Sequence, residues 1–126
     1  MSDTKISAEV FDRLQSAMAN DPAGLVELYR DFLTDAQRTF QQVLDACHRQ
    51  DPEGLRSRAH YLKSSSLVLG AKELAAWCAT LETMGRENKF FETSAALEQT
   101  AARLKDVEAE LVERLGEAVL PPESAG

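Results

Sequence analysis

Residues 59–71 read AHYLKSSSLVLGA. Leu62, Ser66 and Leu69 recur at three- and four-residue steps, and Leu55 and Ala59 continue the pattern backwards. That spacing is the inward stripe of a helix. Gly70 is placed to end it in a left-handed cap, and Ala71 begins another helix almost at once. Upstream, Asp51-Pro52 is a start signal: an N-cap carboxylate followed by proline at the first helical position. A helix is therefore expected from about Pro52 to Leu69.

The same signals recur outward from this stretch. Asp21-Pro22 opens a long helix whose stripe is Leu25, Leu28, Phe32, Ala36, Phe40, Val43 and Cys47. Before it, Ser7 caps a short helix with Val10, Phe11, Leu14 and Met18 inward. After Ala71, Leu74, Cys78 and Leu81 face in, with Trp77 beside them, up to a turn at Gly85-Arg86-Glu87-Asn88. A last helix carries Phe91, Leu97, Ala101, Leu104, Val107, Leu111 and Leu115. No strand pattern, fixed-period repeat or dividing linker is visible. The expected fold is all-α: an antiparallel up-down four-helix bundle with a short extra N-terminal helix. Residues 1–120 would form one domain, and 121–126 a flexible tail.

Composition agrees with this. The chain has 126 residues, enough for one domain with its own core, and 44% are hydrophobic against 28% charged. The net charge of −7 argues against nucleic acid or an anionic membrane as partner. No apolar run is long enough to span a bilayer, and the polar start MSDTKIS lacks the apolar core of a signal peptide. Cys47 and Cys78 read as thiols of a reducing compartment. The reading is cytoplasmic and monomeric, and the start and loose tail fit a free-standing protein.

His60 is the residue that needs a reason. At about 100° per residue it lies roughly 140° from the centre of its helix's stripe. It faces outward with Arg56 one turn before it, Lys63 and Ser64 one turn after, and Leu67 two turns on. A plain surface histidine is the simple alternative. Against it stand the apolar Leu67 on an exposed face, the small Ser65 and Ser66 that let the helix pack closely, and the nearby lysine. An exposed neutral imidazole is a nucleophile. Phosphoryl transfer to it would leave about two negative charges that Lys63 could stabilise, and Arg56 and Lys63 would disfavour imidazolium. No phosphate-cradling glycine loop is present, so the phosphoryl group would come from another protein.

The string His60-Tyr61-Leu62-Lys63-Ser64-Ser65-Ser66, with Gly70-Ala71 after it, resembles the signature of histidine-containing phosphotransfer (Hpt) domains. That pattern is His-x-Leu-Lys-Gly-Ser-Ser with a glycine four residues later. Leu74, Cys78 and Leu81-Glu82 also fall where the family commonly has them. The resemblance implies that His60 is phosphorylated on Nε2, that Lys63 steadies the phosphoryl group and that Gly70 ends the helix. Ser64 departs from the usual glycine, and its hydroxyl could reach the imidazole or a phosphoryl oxygen. The implied partners are receiver domains of response regulators or a hybrid sensor histidine kinase. The receiver would supply the aspartate, the Mg²⁺ and most of the catalysis, so this chain needs no cofactor and no kinase activity of its own. Arg56, Tyr61, Leu67 and Val68 are the candidate docking residues.

Two other readings compete. One is a bundle that binds a receiver or a kinase without transferring phosphate. The other is a metal site from Cys47, His48 and Cys78, which fits poorly because adjacent residues diverge by about 100° on a helix. His48 near a helix C-terminus is otherwise favoured by the helix dipole.

Overall fold

The computed structural model describes residues 5–122. Five helices form, and no strand is present among the described residues: α1 (Ala8–Ala17), α2 (Pro22–His48), α3 (Pro52–Val68), α4 (Lys72–Arg86) and α5 (Thr93–Leu115). Single 3₁₀ turns stand at Phe90–Glu92 and Glu117–Val119. The starts are capped as the sequence dictates. The Ser7 hydroxyl accepts from the Val10 amide, Asp21 from Gly24 and Asp51 from Gly54. The four long helices pack in a ring, α2 on α3, α3 on α4, α4 on α5 and α5 on α2, and α1 lies against α2.

Three helix ends share one device. Past α2, α3 and α4 the chain turns through a positive φ at Gln50, Gly70 and Asn88. In each case the next amide reaches back to a carbonyl in the last turn: Asp51 to Ala46, Ala71 to Ser66 and Lys89 to Met84. Only one of the three residues is glycine. At Gly70 close packing adds to the backbone demand, since a Cβ would lie 2.7 Å from the Ser7 Cβ. The Ser7 amide donates to the Gly70 carbonyl at 2.9 Å and ties the start of α1 to the end of α3.

Several expectations need correcting. Gly85 does not open a turn, because α4 continues to Arg86 and Asn88 takes the left-handed position. Gly85 instead faces α3, where a Cβ would come 2.7 Å from the Arg56 amide nitrogen and 3.0 Å from the Pro52 carbonyl oxygen. Leu28 is exposed, and Tyr29 is fully buried in its stead. The inner face of α2 runs Leu25, Tyr29, Phe32, Leu33, Ala36, Phe40 and Val43. Leu28 falls roughly 85° from its centre. Phe91 stands fully exposed on the 3₁₀ turn before α5, so the stripe of α5 begins at Ala96. Of the tail expected at 121–126, Pro121 is buried, while 123–126 lie outside the described residues.

Among the described residues no helix is long and apolar enough to cross a membrane. Cys47, His48 and Cys78 do not come together as a metal-ligating group among them. Cys47 instead meets Thr93, and burial raises its thiol. Burial pushes the Cys78 thiol up to about 12, so both are neutral near pH 7.

The Gly85 contact is with backbone, which cannot swing aside. Gly85→Ala is expected to cost about 1–3 kcal/mol of stability through overpacking, measured by urea unfolding. A variant as stable as the parent would show that α3 and α4 do not meet as closely as described.

Candidate functional site

His60 stands midway along α3, with its side chain 54% exposed. The buried face of α3 is Leu55, Ala59, Leu62 and Ser66, which turns His60 outward. The ring is not loose, however. Its Nδ1 lies 2.9 Å from the Oε2 of Glu82 on α4. Glu82 is buried, with 8% of its side chain exposed. Its other oxygen, Oε1, is 2.7 Å from the Lys63 ammonium. The Arg86 guanidinium, one turn further along α4, reaches Oε2 at 3.3 Å.

Burial alone would raise the Glu82 carboxyl. Hydrogen bonds from Lys63 and His60 outweigh it and hold the group below the usual carboxylate range. An ionised carboxylate only accepts hydrogen bonds. A neutral His60 ring must then carry its proton on Nδ1, which leaves the lone pair on Nε2. That nitrogen has no hydrogen-bond partner among the described residues. The result is an oriented nucleophile at the surface of a helix.

The other sequence-derived residues distribute as follows. Lys63 is beside His60 but bound to Glu82, so it is not a bare cation waiting for an anion. Arg56 turns away from the ring to Glu53, with its Nε 3.2 Å from Oε1. The two cations expected to disfavour imidazolium are therefore already paired with carboxylates. Ser64 is exposed, and no hydrogen bond holds its hydroxyl among the described residues. Ser65 donates back to the Tyr61 carbonyl at 3.2 Å. Ser66 is buried, and its hydroxyl has no hydrogen-bond partner among the described residues.

Tyr61, Leu67 and Val68 are exposed, at 44%, 53% and 73%. The Tyr61 phenol hydrogen-bonds Asp35 of α2, which raises it, and the Arg58 guanidinium stacks 5.6 Å from its ring centre. Sequence reasoning gave no role to Glu82 or Arg86. The signal for Glu82 was present: a carboxylate at the four-residue step after Cys78, on a stripe otherwise apolar or small. A charge there must be paired.

The family model for the Hpt domain matches residues 27–119. The chain belongs to the Hpt, or histidine phosphotransfer, domain family. Among solved structures it is similar to histidine-containing phosphotransfer protein B (HptB) from Pseudomonas aeruginosa PAO1. The two are 24% identical with a TM-score of 0.82, over 90% of this chain and 96% of that one. It is also similar to Ypd1p in a triclinic crystal form, at 17% identity and a TM-score of 0.81, over 92% of this chain and 96% of that one. At these identities the likeness speaks for the helical-bundle fold alone. No curated protein matches the chain. In this Hpt domain α1 lies outside the matched residues.

The tautomer is directly measurable. In ¹H–¹⁵N NMR spectra the neutral His60 ring is expected to show a protonated Nδ1 and a bare Nε2. A predominant Nε2–H form would mean that Glu82 does not hold the ring in this way.

Proposed function

We propose that this Hpt domain relays a phosphoryl group between receiver-domain aspartates in a multistep two-component phosphorelay, carrying it on Nε2 of His60. The observation that supports this most is the exposed imidazole whose Nδ1 is held by a buried carboxylate. In the incoming step the Nε2 lone pair attacks the phosphorus of an aspartyl phosphate. The P–O bond breaks, and its electrons leave on the aspartate carboxylate. The receiver supplies that aspartate, the Mg²⁺ and most of the catalysis. The Hpt chain supplies position and charge, with no ATP-dependent kinase activity and no cofactor of its own. Its partners are response regulators, a hybrid sensor kinase or both, and it works as a cytoplasmic monomer.

The docking surface in this reading follows α3. Leu67 and Val68 are exposed two turns beyond His60, with Tyr61 on one flank and Arg56 one turn before. The pairs Arg58–Gln42 and Tyr61–Asp35 run in opposite senses along α3 and α2. That register carries the exposed Leu28 toward the level of Val68. An apolar centre with a charged rim has the anatomy of a protein interface. Ser64 stands between His60 and Leu67, in the partner's path, and is small enough to be accommodated.

His60→Gln is expected to abolish phosphoryl acceptance from a phosphorylated receiver while leaving the chain folded, at a stability cost of about 1–3 kcal/mol for the disturbed hydrogen bond to the buried Glu82. Phosphate appearing undiminished in that variant, or on His48, would contradict the assignment. A wild-type chain that binds receivers but takes no phosphoryl would favour the non-transferring module instead.

Leu67→Asp should weaken receiver binding by about 1–2 kcal/mol if Leu67 is central to the interface, as read by calorimetry. NMR shift mapping with a receiver that leaves the Leu67 region unmoved would rule this surface out.

A further inference from the structure

Glu82 does more than fix a tautomer, because it is charged and it is shared. One oxygen takes the Lys63 ammonium, and the other takes both the His60 ring and the Arg86 guanidinium. The carboxylate is buried, and its three partners reach it from more exposed positions. Both cations next to the nucleophile are therefore engaged before any phosphoryl group arrives. A phosphoryl group on Nε2 must draw Lys63 away from a partner 2.7 Å distant.

The carboxylate also acts through the ring. When Nε2 takes up the phosphoryl group, the proton on Nδ1 remains, and the ring becomes a phosphoimidazolium. An anion facing Nδ1 favours that protonated form. From it the P–N bond breaks to give neutral imidazole, a far better leaving group than the imidazolate released from a ring that has lost the proton. Both effects act in the same direction.

We propose that Glu82 is a positioning residue whose charge keeps phospho-His60 a ready donor, by holding the Nδ1 proton and by competing with the phosphoryl group for Lys63 and Arg86. The proposal rests on the phosphotransfer role of His60 argued above. In the outgoing step a carboxylate oxygen of the acceptor attacks phosphorus, the P–Nε2 bond breaks, and its electron pair returns to Nε2. The Nδ1 proton stays on the ring against Glu82, so no further acid, base or co-reactant is needed. A neutral acceptor at this position would keep the hydrogen bond and lose both effects.

The groups around the ring allow the charge to be isolated. From α4 come Glu82, Arg86 and the Cys78 thiol, the last neutral because burial pushes it up to about 12. From α3 come Lys63 and the Arg56–Glu53 pair. On the flank toward α2, Asp35 is engaged by Tyr61 with Arg38 and Arg58 near it.

The experiment uses the full chain and Glu82→Gln, each phosphorylated by a small phosphoramidate donor and by a phosphorylated receiver. Lifetime of the phosphohistidine is followed by ³¹P NMR across neutral pH, together with the rate of transfer to a receiver. In Glu82→Gln the lifetime near pH 7 should lengthen at least about threefold, transfer out should slow, and the pH midpoint of hydrolysis should fall. A merely structural role would not move that midpoint. An unchanged or shorter lifetime with an unmoved midpoint would overturn the proposal alone. A wild-type chain that takes no phosphoryl would overturn the phosphotransfer reading and this proposal with it. If the glutamine variant does not fold, the phosphorylated wild type still decides: Nδ1 should carry its proton near pH 7 by ¹⁵N shift, and a deprotonated Nδ1 there would overturn the proposal.

Discussion

The contact of α4 with the backbone of α3 at Gly85 is the constraint on which the site depends. Any side chain there would meet the Arg56 amide and the Pro52 carbonyl, and the helices would be pushed apart. Glu82 lies three residues before Gly85, so the same close approach carries its carboxylate beneath His60. Small buried residues extend the fit, with Ala59 and Ser66 on α3 and Ala75 and Cys78 on α4. A carboxylate in such a seam is costly unless several donors meet it. Lys63, Arg86 and His60 are those donors, so packing and chemistry support each other. Had α4 stood further off, water would have reached Glu82, and none of the three would have been held in place.

The far end of α3 is fixed by a different part of the chain. Gly70 turns the backbone with φ +82° and accepts the Ser7 amide, which docks the start of α1. Ile6 is buried there, the Phe11 ring stacks on Tyr29 at 5.7 Å, and the Arg114 guanidinium lies 4.8 Å from the Phe11 ring centre. The Tyr29 phenol has no hydrogen-bond partner among the described residues, and burial pushes it up to about 12, so it stays neutral. This segment precedes the residues that match the family. It anchors the end of α3 from which Leu67 and Val68 project, and so bears on the proposed docking surface without contacting His60.

What could be read from the sequence divides along a physical line. Helix starts are local: Ser7, Asp21-Pro22 and Asp51-Pro52 each carry their cap within four residues, and all three helices begin there. The outward direction of His60 was legible because α3 has a clean stripe. Helix ends were less so. Gln50 and Asn88 adopt positive φ without glycine, and the glycine that looked like a stop, Gly85, is a contact point between helices. Which of Leu28 and Tyr29 is buried depends on where the neighbouring helices stand, and adjacent residues on one helix cannot settle that by pattern. The partnership of Glu82 with His60 spans 22 positions and exists only after two helices pack. Its local trace was a charge on an apolar stripe, which shows that a partner is needed without naming it.

The charge balance at the site explains why the histidine keeps a counterion of its own. Without Glu82, Lys63 and Arg86 would flank an exposed nucleophile as unpaired cations. They would attract small anions as readily as a protein-bound phosphoryl group. With Glu82 in place, the carboxylate and its two cations leave one net positive charge, and the Arg56–Glu53 pair beside them adds none. That residual charge sits on a chain whose net charge is −7. Long-range electrostatics would therefore do little to recruit the proposed receiver partner, and at about 8–10 Å salt screens what remains. In the proposed docking, recognition would fall to the exposed apolar residues, Leu67 and Val68 above all, whose contribution is not screened by salt as charge pairs are. The cations, paired with Glu82, would act only at contact range, once a phosphoryl group is close enough to compete for Lys63. On the proposed reading the fold separates two tasks: apolar side chains on α3 would bring the partner in, and a buried carboxylate on α4 would set how tightly the phosphoryl group is held.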